Sequence, residues 1–325
     1  MLASIRDVAK LAQVAPSTVS LVLNNKGYVS DKARKKVLDA IEKLNYVPNE
    51  LARNLFRNCT NIIGVIVPDV AHPFFGTFIS ALEIALYKHN YKIMVCSTIE
   101  RENAEHELVD MLQRQMIDGI IMGCHSLEIG LYNNIDKPIV AFDRVINSKI
   151  PIVRSDHEQG GKLASQAMIQ AKCKHPLQMI GAKSVTTPAH LHHLVFEKEM
   201  AKKGIEVINY EMGWNQFGMD YYKKIAKKIF DNYPEIDGIY GADMVICACL
   251  NEIRKRKLSI PEDIKLIAYD GTFITESGFY NITSIVQPIK LLAMETAKMI
   301  VALIQGKKVS AEKILPVTLR RGDTC

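Results

Sequence analysis

Residues 4–25 read SIRDVAKLAQVAPSTVSLVLNN, two short amphipathic segments on either side of a break. In the first segment apolar residues recur at helical spacing, and Ser4 followed by Asp7 has the pattern of a capping box. The second segment has Pro16 where a first helical turn tolerates it, begins with small polar side chains, ends apolar and carries no charge. The stretch therefore predicts two short helices joined by a tight turn.

A third helix is predicted directly after these two. Ser30 can cap the segment DKARKKVLDAIEKLN (31–45), whose apolar side would close a small core. Three helices in this arrangement form a helix-turn-helix unit, whose second helix enters the DNA major groove by its N-terminal end. The polar start of the second helix agrees with this use, because small hydroxyl side chains can donate to phosphate oxygens.

The charge distribution favours a polyanionic partner for the N-terminal segment. Residues 1–58 hold ten basic and five acidic side chains, a net charge of +5, whereas the whole chain of 325 residues carries +6. A basic head on a nearly neutral body is typical of nucleic-acid binding. If charge were the only observation, a solvated basic surface would explain it equally well.

Residues 5–55, IRDVAKLAQVAPSTVSLVLNNKGYVSDKARKKVLDAIEKLNYVPNELARNL, closely resemble the DNA-binding head of the LacI/GalR transcription repressors. The resemblance implies that Pro16, Ser17 and Leu21 read bases. It implies phosphate contacts for Ser4, Thr18, Ser20, Asn24, Tyr28, Arg34 and Tyr46. Leu21 replaces an arginine that is common in the family, and a leucine can contact a thymine methyl but cannot pair with guanine. We therefore expect an operator that differs from the family's commonest one.

The next segment, VPNELARNLFRN (47–58), is too short for a stable isolated helix in water. The resemblance implies a hinge helix that folds on DNA, with Leu55 wedged into a base step of the minor groove. Asn49, Ala52 and Arg53 are assigned to the same interface. An ordinary linker helix with a core leucine is the alternative.

After residue 60, short apolar runs alternate with helical segments. Predicted strands lie at 62–67, 92–96, 118–122 and 138–142, and a second set lies at 177–181, 204–209, 237–241, 264–269 and 283–286. Strand–helix alternation predicts parallel sheets covered on both faces, and two successive sets predict two similar lobes. The expected fold class is α/β: a small all-α helix-turn-helix head plus a two-lobed parallel α/β body, which resembles the periplasmic-binding-protein-like body of the same family.

The expected domains follow from this division. They are a helix-turn-helix DNA-binding domain at 1–46, a hinge-helix linker at 47–59, and an effector-binding and dimerisation domain at 60–325. The resemblance implies that one lobe comprises about 60–156 with 288–315, and the other 157–287 with 316–325. No Gly-rich phosphate-binding loop follows the first predicted strand, so we expect no cofactor.

Ligands of open parallel sheets bind beyond the carboxyl ends of the strands, which points to a cleft between the lobes. The resemblance assigns the following residues to the effector pocket: His72, Phe74, Phe75, Asp143, Arg144, Asp156, His192, Trp214, Asp243, Asp270 and Gln287. In the family an aromatic side chain after the first strand usually stacks on a sugar ring. Converging donors and acceptors agree with a polyhydroxylated ligand. Trp214 is equally compatible with a plain packing role.

Three polar positions of the family pocket are altered in this chain. His192 stands where the family usually has a sugar-binding arginine. Ala242 and Gly271 stand where an asparagine and an aspartate are usual. The pocket has therefore either adapted to a different ligand or lost small-molecule sensing. The cluster His190, His192 and His193 has no acidic or thiol partner within sequence reach, so we expect solvated or cleft-edge histidines and no metal.

The resulting hypothesis is a dimeric regulator rather than an enzyme. It would repress a carbohydrate-utilisation operon by binding near-palindromic double-stranded operator DNA, with its affinity controlled by a sugar or sugar derivative. The first alternative is a regulator that responds to a protein co-regulator; a sugar-binding protein is a weaker one, since it leaves the head unexplained. No apolar run reaches the roughly 18 residues of a membrane helix and the N-terminus has no signal-peptide core, so we expect no membrane partner and a cytoplasmic location.

Overall fold

The structure is a computed structural model that describes residues 3–25, 27–47, 59–101, 103–123, 129–132, 135–185, 187–214 and 216–325. The chain divides into two compact units, Met1–Thr60 and Asn61–Cys325.

The first unit contains three short helices, α1 (Ile5–Ala12), α2 (Pro16–Asn24) and α3 (Asp31–Lys43). Ser4 and Asp7 form the predicted capping box: the Ser4 hydroxyl accepts from the Asp7 amide, and the Asp7 carboxylate accepts from the Ser4 amide at 2.9 Å. The Ser30 hydroxyl caps α3 by accepting from the amide of Ala33. Both cap predictions are thus confirmed.

Each of these helices contributes a fully buried valine, Val8, Val19 or Val37, to one small core. Gln13 and Asn25 end α1 and α2 in the left-handed backbone region, with φ of 55° and 53°. Amide side chains tolerate this region better than branched ones do, so the chain can turn tightly after each helix.

The second unit contains seven helices among its described residues: α4 (Pro73–Tyr87), α5 (Ala104–Gln113), α6 (His157–Gln170), α7 (His190–Ala201), α8 (Met219–Asn232), α9 (Asp243–Arg256) and α10 (Ile289–Ile304). Short 3-10 turns lie at Ile129–Tyr132 and Phe273–Thr275. The strands are β1 (Ile62–Val67), β2 (Lys92–Ser97), β3 (Gly119–Met122), β4 (Ile139–Phe142), β5 (Ile152–Ser155), β6 (Pro176–Ile180), β7 (Ile208–Glu211), β8 (Gly238–Ala242), β9 (Lys265–Asp270), β10 (Ser284–Val286), β11 (Glu312–Leu315) and β12 (Thr318–Arg320).

These strands form two six-stranded sheets. The first has the order β11-β5-β4-β3-β1-β2 and is parallel throughout. The second has the order β12-β10-β9-β8-β6-β7 and is parallel except for β12, which runs antiparallel to β10. The chain therefore passes from one sheet to the other after Ser155, after Val286 and after Leu315. The predicted fold class, an α-helical head plus a two-lobed parallel α/β body, is confirmed.

Helices cover both faces of each sheet, which is why the central strands are nearly continuous apolar runs. On the first sheet, α4 and α10 pack on one face through Phe78 and Leu292, and α5 packs on the other through Leu108. On the second sheet, α8 and α9 cover one face, and α6 and α7 cover the other. None of the described helices is both long and apolar enough to cross a membrane.

Three strands were not predicted from the sequence, and a fourth begins later than predicted. β5, β11 and β12 are only three or four residues long, and β11 and β12 are edge strands of mixed polar and apolar residues. Arg154 on β5 donates to the Glu312 carboxylate on β11 at 2.6 Å, a pair that no local pattern indicates. β7 starts at Ile208 rather than at residue 204, because Gly204, with φ of +72°, still belongs to the turn after α7.

Candidate DNA-binding surface and effector cleft

The N-terminal half of α2 presents the side chains that were assigned to base reading. Pro16, Ser17 and Leu21 are exposed, whereas Val19 and Val22 on the opposite side are buried. The residue before the helix is Ala15, whose methyl group cannot cap amides. Pro16 has no N–H and the Thr18 amide donates to the Ala15 carbonyl at 2.9 Å, so it is the Ser17 N–H that can meet an anion such as a phosphate. This end of α2 can therefore meet DNA with both its hydroxyls and its backbone.

The residues assigned to phosphate contacts differ in how free their polar atoms are. Tyr28 is 94% exposed. Ser4 is exposed at the start of α1, but its hydroxyl donates to the Asp7 carboxylate at 2.7 Å within the capping box. Arg34 donates from Nη1 to the side-chain oxygen of Asn25 at 2.9 Å, which holds the guanidinium beside the C-terminus of α2.

The remaining head residues in this group, Thr18, Ser20, Asn24 and Tyr46, are half-buried. Asn24 donates from Nδ2 to the Ser20 carbonyl at 2.8 Å, so that its amide serves the helix itself. Asn49, Ala52, Arg53 and Leu55, which were assigned to the hinge, lie outside the described residues.

In the second unit, a cavity of about 240 Å³ lies where the carboxyl ends of strands from both sheets meet. Eight of the eleven residues assigned to the effector pocket line it: His72, Phe74, Phe75, Asp143, His192, Trp214, Asp270 and Gln287. The topological rule that places ligands beyond the strand ends explains why residues so far apart in sequence converge here.

The structure places the other three assigned residues elsewhere. Arg144 is buried with Glu105 on the first sheet, its Nη1 3.6 Å from the carboxylate. Asp156 caps α6 by accepting from the amide of Gln159 at 2.9 Å. Each of these charged groups is held by a local structural partner, which sequence position alone does not reveal.

Asp243, the third of these residues, opens α9 and is almost fully buried. Its carboxylate accepts from the amides of Gly271 and Thr272 and from the Thr272 hydroxyl, at 3.1, 2.6 and 2.6 Å. Burial raises the pKa of Asp243 to about 6 in spite of these bonds. Its visible role is to hold the loop that follows β9.

Beside the cavity lies a hydrogen-bonded relay that the sequence analysis missed. His157 is fully buried, with Nε2 2.6 Å from an Asp143 oxygen and Nδ1 2.6 Å from the Tyr269 hydroxyl. Because a carboxylate only accepts, His157 donates from Nε2 to Asp143, and its Nδ1 shares a hydrogen bond with the Tyr269 hydroxyl. His157 directly follows Asp156 at a strand end, and this position was the signal that could have found it.

Of the histidines that were expected to be solvated or at the cleft edge, His192 and His193 both line the cavity. His192 is buried and His193 is half-buried, so the solvated alternative is wrong for His192. His192 stacks on Tyr269 with ring centroids 3.7 Å apart, and its Nδ1 lies 2.8 Å from the Tyr240 hydroxyl. His193 bonds Gln178 at 3.0 Å. Burial lowers the pKa of His193 to about 3 and holds that of His192 well below its usual value, so both rings are neutral near pH 7. Gly160 and Gly161 have no side chains, and this permits the packing: a Cβ at Gly161 would collide with the His192 carbonyl, and one at Gly160 with the Tyr269 ring.

A second chain of hydrogen bonds links the two sheets at the cavity. The Ser155 hydroxyl, at the end of β5, donates to Gln287 Oε1 at 2.7 Å. Gln287 Nε2 donates in turn to the carboxylate of Asp270, at the end of β9, at 2.7 Å. Side chains that line the cavity therefore take part in the hydrogen bonds that join the two sheets.

His72 presents an unused polar atom at the same cavity. It is 7% exposed, and its Nδ1 has no hydrogen-bond partner among the described residues. Burial lowers the pKa of His72 to about 4, so the ring is neutral near pH 7. Its neighbours are the rings of Phe75 and Phe217, with centroids 5.5 and 5.8 Å away. A buried polar atom without a partner costs free energy, so His72 is poised for a ligand or water.

In comparisons with known proteins, each of the two units matches a protein family. Residues 4–49 match the bacterial regulatory proteins of the lacI family, and residues 60–320 match the periplasmic binding proteins and sugar binding domain of the LacI family. The chain is 35% identical to the sucrose operon repressor of Streptococcus mutans over the full length of both chains. It is 32% identical to the ribose operon repressor of Halalkalibacterium halodurans, over 94% of this chain and 91% of the relative.

Among solved structures, the Lac repressor dimer bound to operator and an anti-inducer superimposes with a TM-score of 0.88 at 22% identity, covering 100% of this chain and 99% of that one. A LacI-type regulator from Alkaliphilus metalliredigens complexed with D-xylulofuranose superimposes with a TM-score of 0.73 at 27% identity, covering 82% of this chain and 99% of that one. From the matches along both units and the full-length repressor relatives, we conclude that the chain belongs to the LacI family of bacterial regulatory proteins.

Proposed function

We propose that this chain represses a carbohydrate-utilisation operon by binding a near-palindromic operator as a cytoplasmic homodimer, and that a sugar in the cleft controls its affinity for DNA. The observation that carries the proposal is the cavity between the two sheets. Aromatic rings line it, His72 Nδ1 is without a partner among the described residues, and a ligand could replace the hydrogen bond between Gln287 and Asp270. Relatives named as sucrose and ribose operon repressors support a saccharide as its ligand.

On the DNA side, the proposed base-reading residues are Pro16, Ser17 and Leu21. Their exposure on one side of α2 supports this assignment. The hinge at 47–59, with Leu55 as the minor-groove wedge, belongs to the same proposal. A two-fold dimer would place one head on each half-site.

On the effector side, the proposed mechanism uses the bonds that join the sheets. A ligand hydroxyl that bonds Asp270 or Gln287 would compete with the chain from Ser155 and change the preferred angle between the lobes. A ligand controls DNA affinity only through such a differential contact, and couplings of about 1–3 kcal/mol are typical.

The experiment begins with selection of operator DNA by the full chain from a random pool. Binding of the selected site is then measured with and without sucrose, fructose, glucose and ribose. We expect a near-palindromic consensus and at least one sugar that changes the apparent Kd about five- to 150-fold, the range of typical couplings. The double variant Ser17→Ala with Leu21→Ala should lose the consensus, whereas Leu38→Ala on the exposed side of α3 should keep it.

Failure to select any consensus would contradict the repressor assignment. A consensus that no sugar modulates would contradict sugar control and favour a protein co-regulator.

A further inference from the structure

We infer that the cleft selects uncharged saccharides and rejects sugar phosphates. The inference rests on the proposed function, since it specifies the ligand of the same site. It follows from the charges that surround the cavity, taken together with two buried imidazoles.

The cavity offers no cation to a phosphate. Neither lysine nor arginine is among its described lining residues. The body residues outside the described ranges, 102, 124–128, 133–134, 186 and 215, also include none in the sequence. Proteins hold phosphate groups mainly with arginine, lysine and backbone amides, and the first two are missing here.

The acidic lining opposes an anionic ligand. Asp143 and Asp270 both line the cavity, and Asp243 lies behind Asp270. Burial and the neighbouring carboxylates of Asp243 and Asp143 raise the pKa of Asp270 well above its usual value. The same surroundings that resist negative charge on Asp270 resist it on a bound phosphate.

The histidines do not compensate for the missing cation. His192, which occupies the position where an arginine was expected, is stacked on Tyr269 and bonded to Tyr240 in a buried, neutral state. His72 is also buried and neutral, and its Nδ1 is without a partner among the described residues. A neutral imidazole can exchange one hydrogen bond with a hydroxyl, which is what a sugar presents.

A helix end at the cavity favours an anion. It is not that of α7, whose first-turn amides already donate to the carbonyls of Thr187, Pro188 and Ala189. The N-terminus of α4 borders the cavity at His72, whose side chain does not cap the helix. Each helix N-terminus carries a partial positive charge of roughly half an elementary unit. A hydroxyl oxygen can accept from the first-turn amides of α4 without approaching the carboxylates as a full negative charge, so the combination favours a polar, uncharged ligand.

The test measures binding to the full chain by calorimetry with matched pairs: fructose and fructose 6-phosphate, glucose and glucose 6-phosphate, ribose and ribose 5-phosphate. We expect at least one uncharged sugar to bind and its phosphate to bind at least about tenfold more weakly, since an uncompensated like charge is strongly disfavoured. A phosphate that binds as tightly as its parent sugar would overturn the inference. So would the absence of binding by every uncharged sugar in a protein that still binds its selected operator, an outcome that leaves the DNA-binding part of the proposed function intact.

A charge variant tests the cause of the selection. His190→Lys adds a cation at a half-buried lining position and avoids the fully buried His192. We expect the ratio of the phosphate Kd to the sugar Kd to fall about tenfold. The control is His175→Lys, the same change at an exposed residue before β6, at the end of the sheet away from the cavity. Equal ratios in the two variants would show that the missing cation does not set the selection.

Discussion

The imidazole of His192 lies nearly parallel to the phenol ring of Tyr269, with centroids 3.7 Å apart and 12° between the ring planes. Each ring is also fixed at its polar atom, Tyr269 by His157 at 2.6 Å and His192 by Tyr240 at 2.8 Å. Buried polar networks whose members are satisfied are rigid. The cleft is therefore bordered by a preorganised aromatic surface, and its ligand contacts do not require these rings to be ordered on binding.

Removal of the Tyr269 hydroxyl should destabilise the body without loss of the stacked ring. Tyr269→Phe leaves Nδ1 of the buried His157 without its hydrogen-bond partner, and we expect a loss of about 1–3 kcal/mol in the free energy of unfolding. Urea denaturation of the full chain measures it. Tyr87→Phe, at a tyrosine that is 72% exposed on α4, is the matched control and should change stability little. Equal effects of the two changes would show that the His157 relay does not stabilise the fold.

The buried His72 should make stability depend on pH. Its pKa is about 4 in the folded state and near 6.5 in the unfolded chain, so the unfolded state binds more protons between these values. Stability then rises with pH across this window and is lost as the pH falls from about 6.5 to 4. His72→Gln removes this contribution, so wild type should lose about 3 kcal/mol more than the variant across the window.

The measurement is the free energy of unfolding of both proteins at several pH values, since other titrating groups then cancel in the difference. His175→Gln, at an exposed histidine, should track wild type at every pH. A pH-independent difference between wild type and His72→Gln would show that His72 is not held neutral.

The fold was largely accessible from the sequence, because its signals are local and periodic. The cap at Ser4, the cap at Ser30 and the buried runs such as Ile62–Val67 each follow from short patterns that the structure reproduces. β11 and β12 were not accessible, because they are only four and three residues long, mix polar with apolar residues, and become strands through pairing with β5 and β10 far away in sequence. Such pairing energy is invisible to a window of neighbouring residues.

The site was accessible only in part, for a related reason. The ends of the strands could be located from the sequence. The rule that ligands bind beyond these ends predicted a cleft, and Asp143, Asp270 and Gln287 do line one cavity. The rule does not say where a side chain points, so Arg144 was assigned to the pocket although it is buried with Glu105. His157 was passed over for the converse reason, since its importance arises from Tyr269, 112 residues further along the chain.

Leu21 should decide part of the operator sequence. Its side chain is 38% exposed on the same side of α2 as Ser17. Leu21→Arg supplies a bidentate donor that can pair with guanine, a contact worth about 1–3 kcal/mol of base discrimination. We expect selection from random DNA to return a site with a new guanine at one position of each half-site. Leu38→Arg, at an exposed leucine of α3, adds the same charge and should strengthen binding without a change in the consensus. If both variants select the wild-type site, Leu21 does not contact a base.

Comparison of Gly271 with Gly306 separates the cost of left-handed backbone strain from the cost of steric overlap at a glycine. Its φ is +65°, and a Cβ there would lie 2.7 Å from the Cα of Val286. Gly271→Ala therefore combines left-handed backbone strain of about 1 kcal/mol with a steric overlap of about 1–3 kcal/mol. Gly306→Ala has the same strain at φ of +71° but meets nothing within 4 Å, so it should lose only about 1 kcal/mol. Thermal unfolding of both variants measures the difference.

The overlap at Gly271 should also weaken sugar binding, because Gly271 follows Asp270 and its amide donates to Asp243. Gly306→Ala should bind sugar as wild type does. Equal stability losses would mean that the backbone after β9 moves away from Val286 freely, and the loop would then not be the rigid support that its hydrogen bonds to Asp243 indicate.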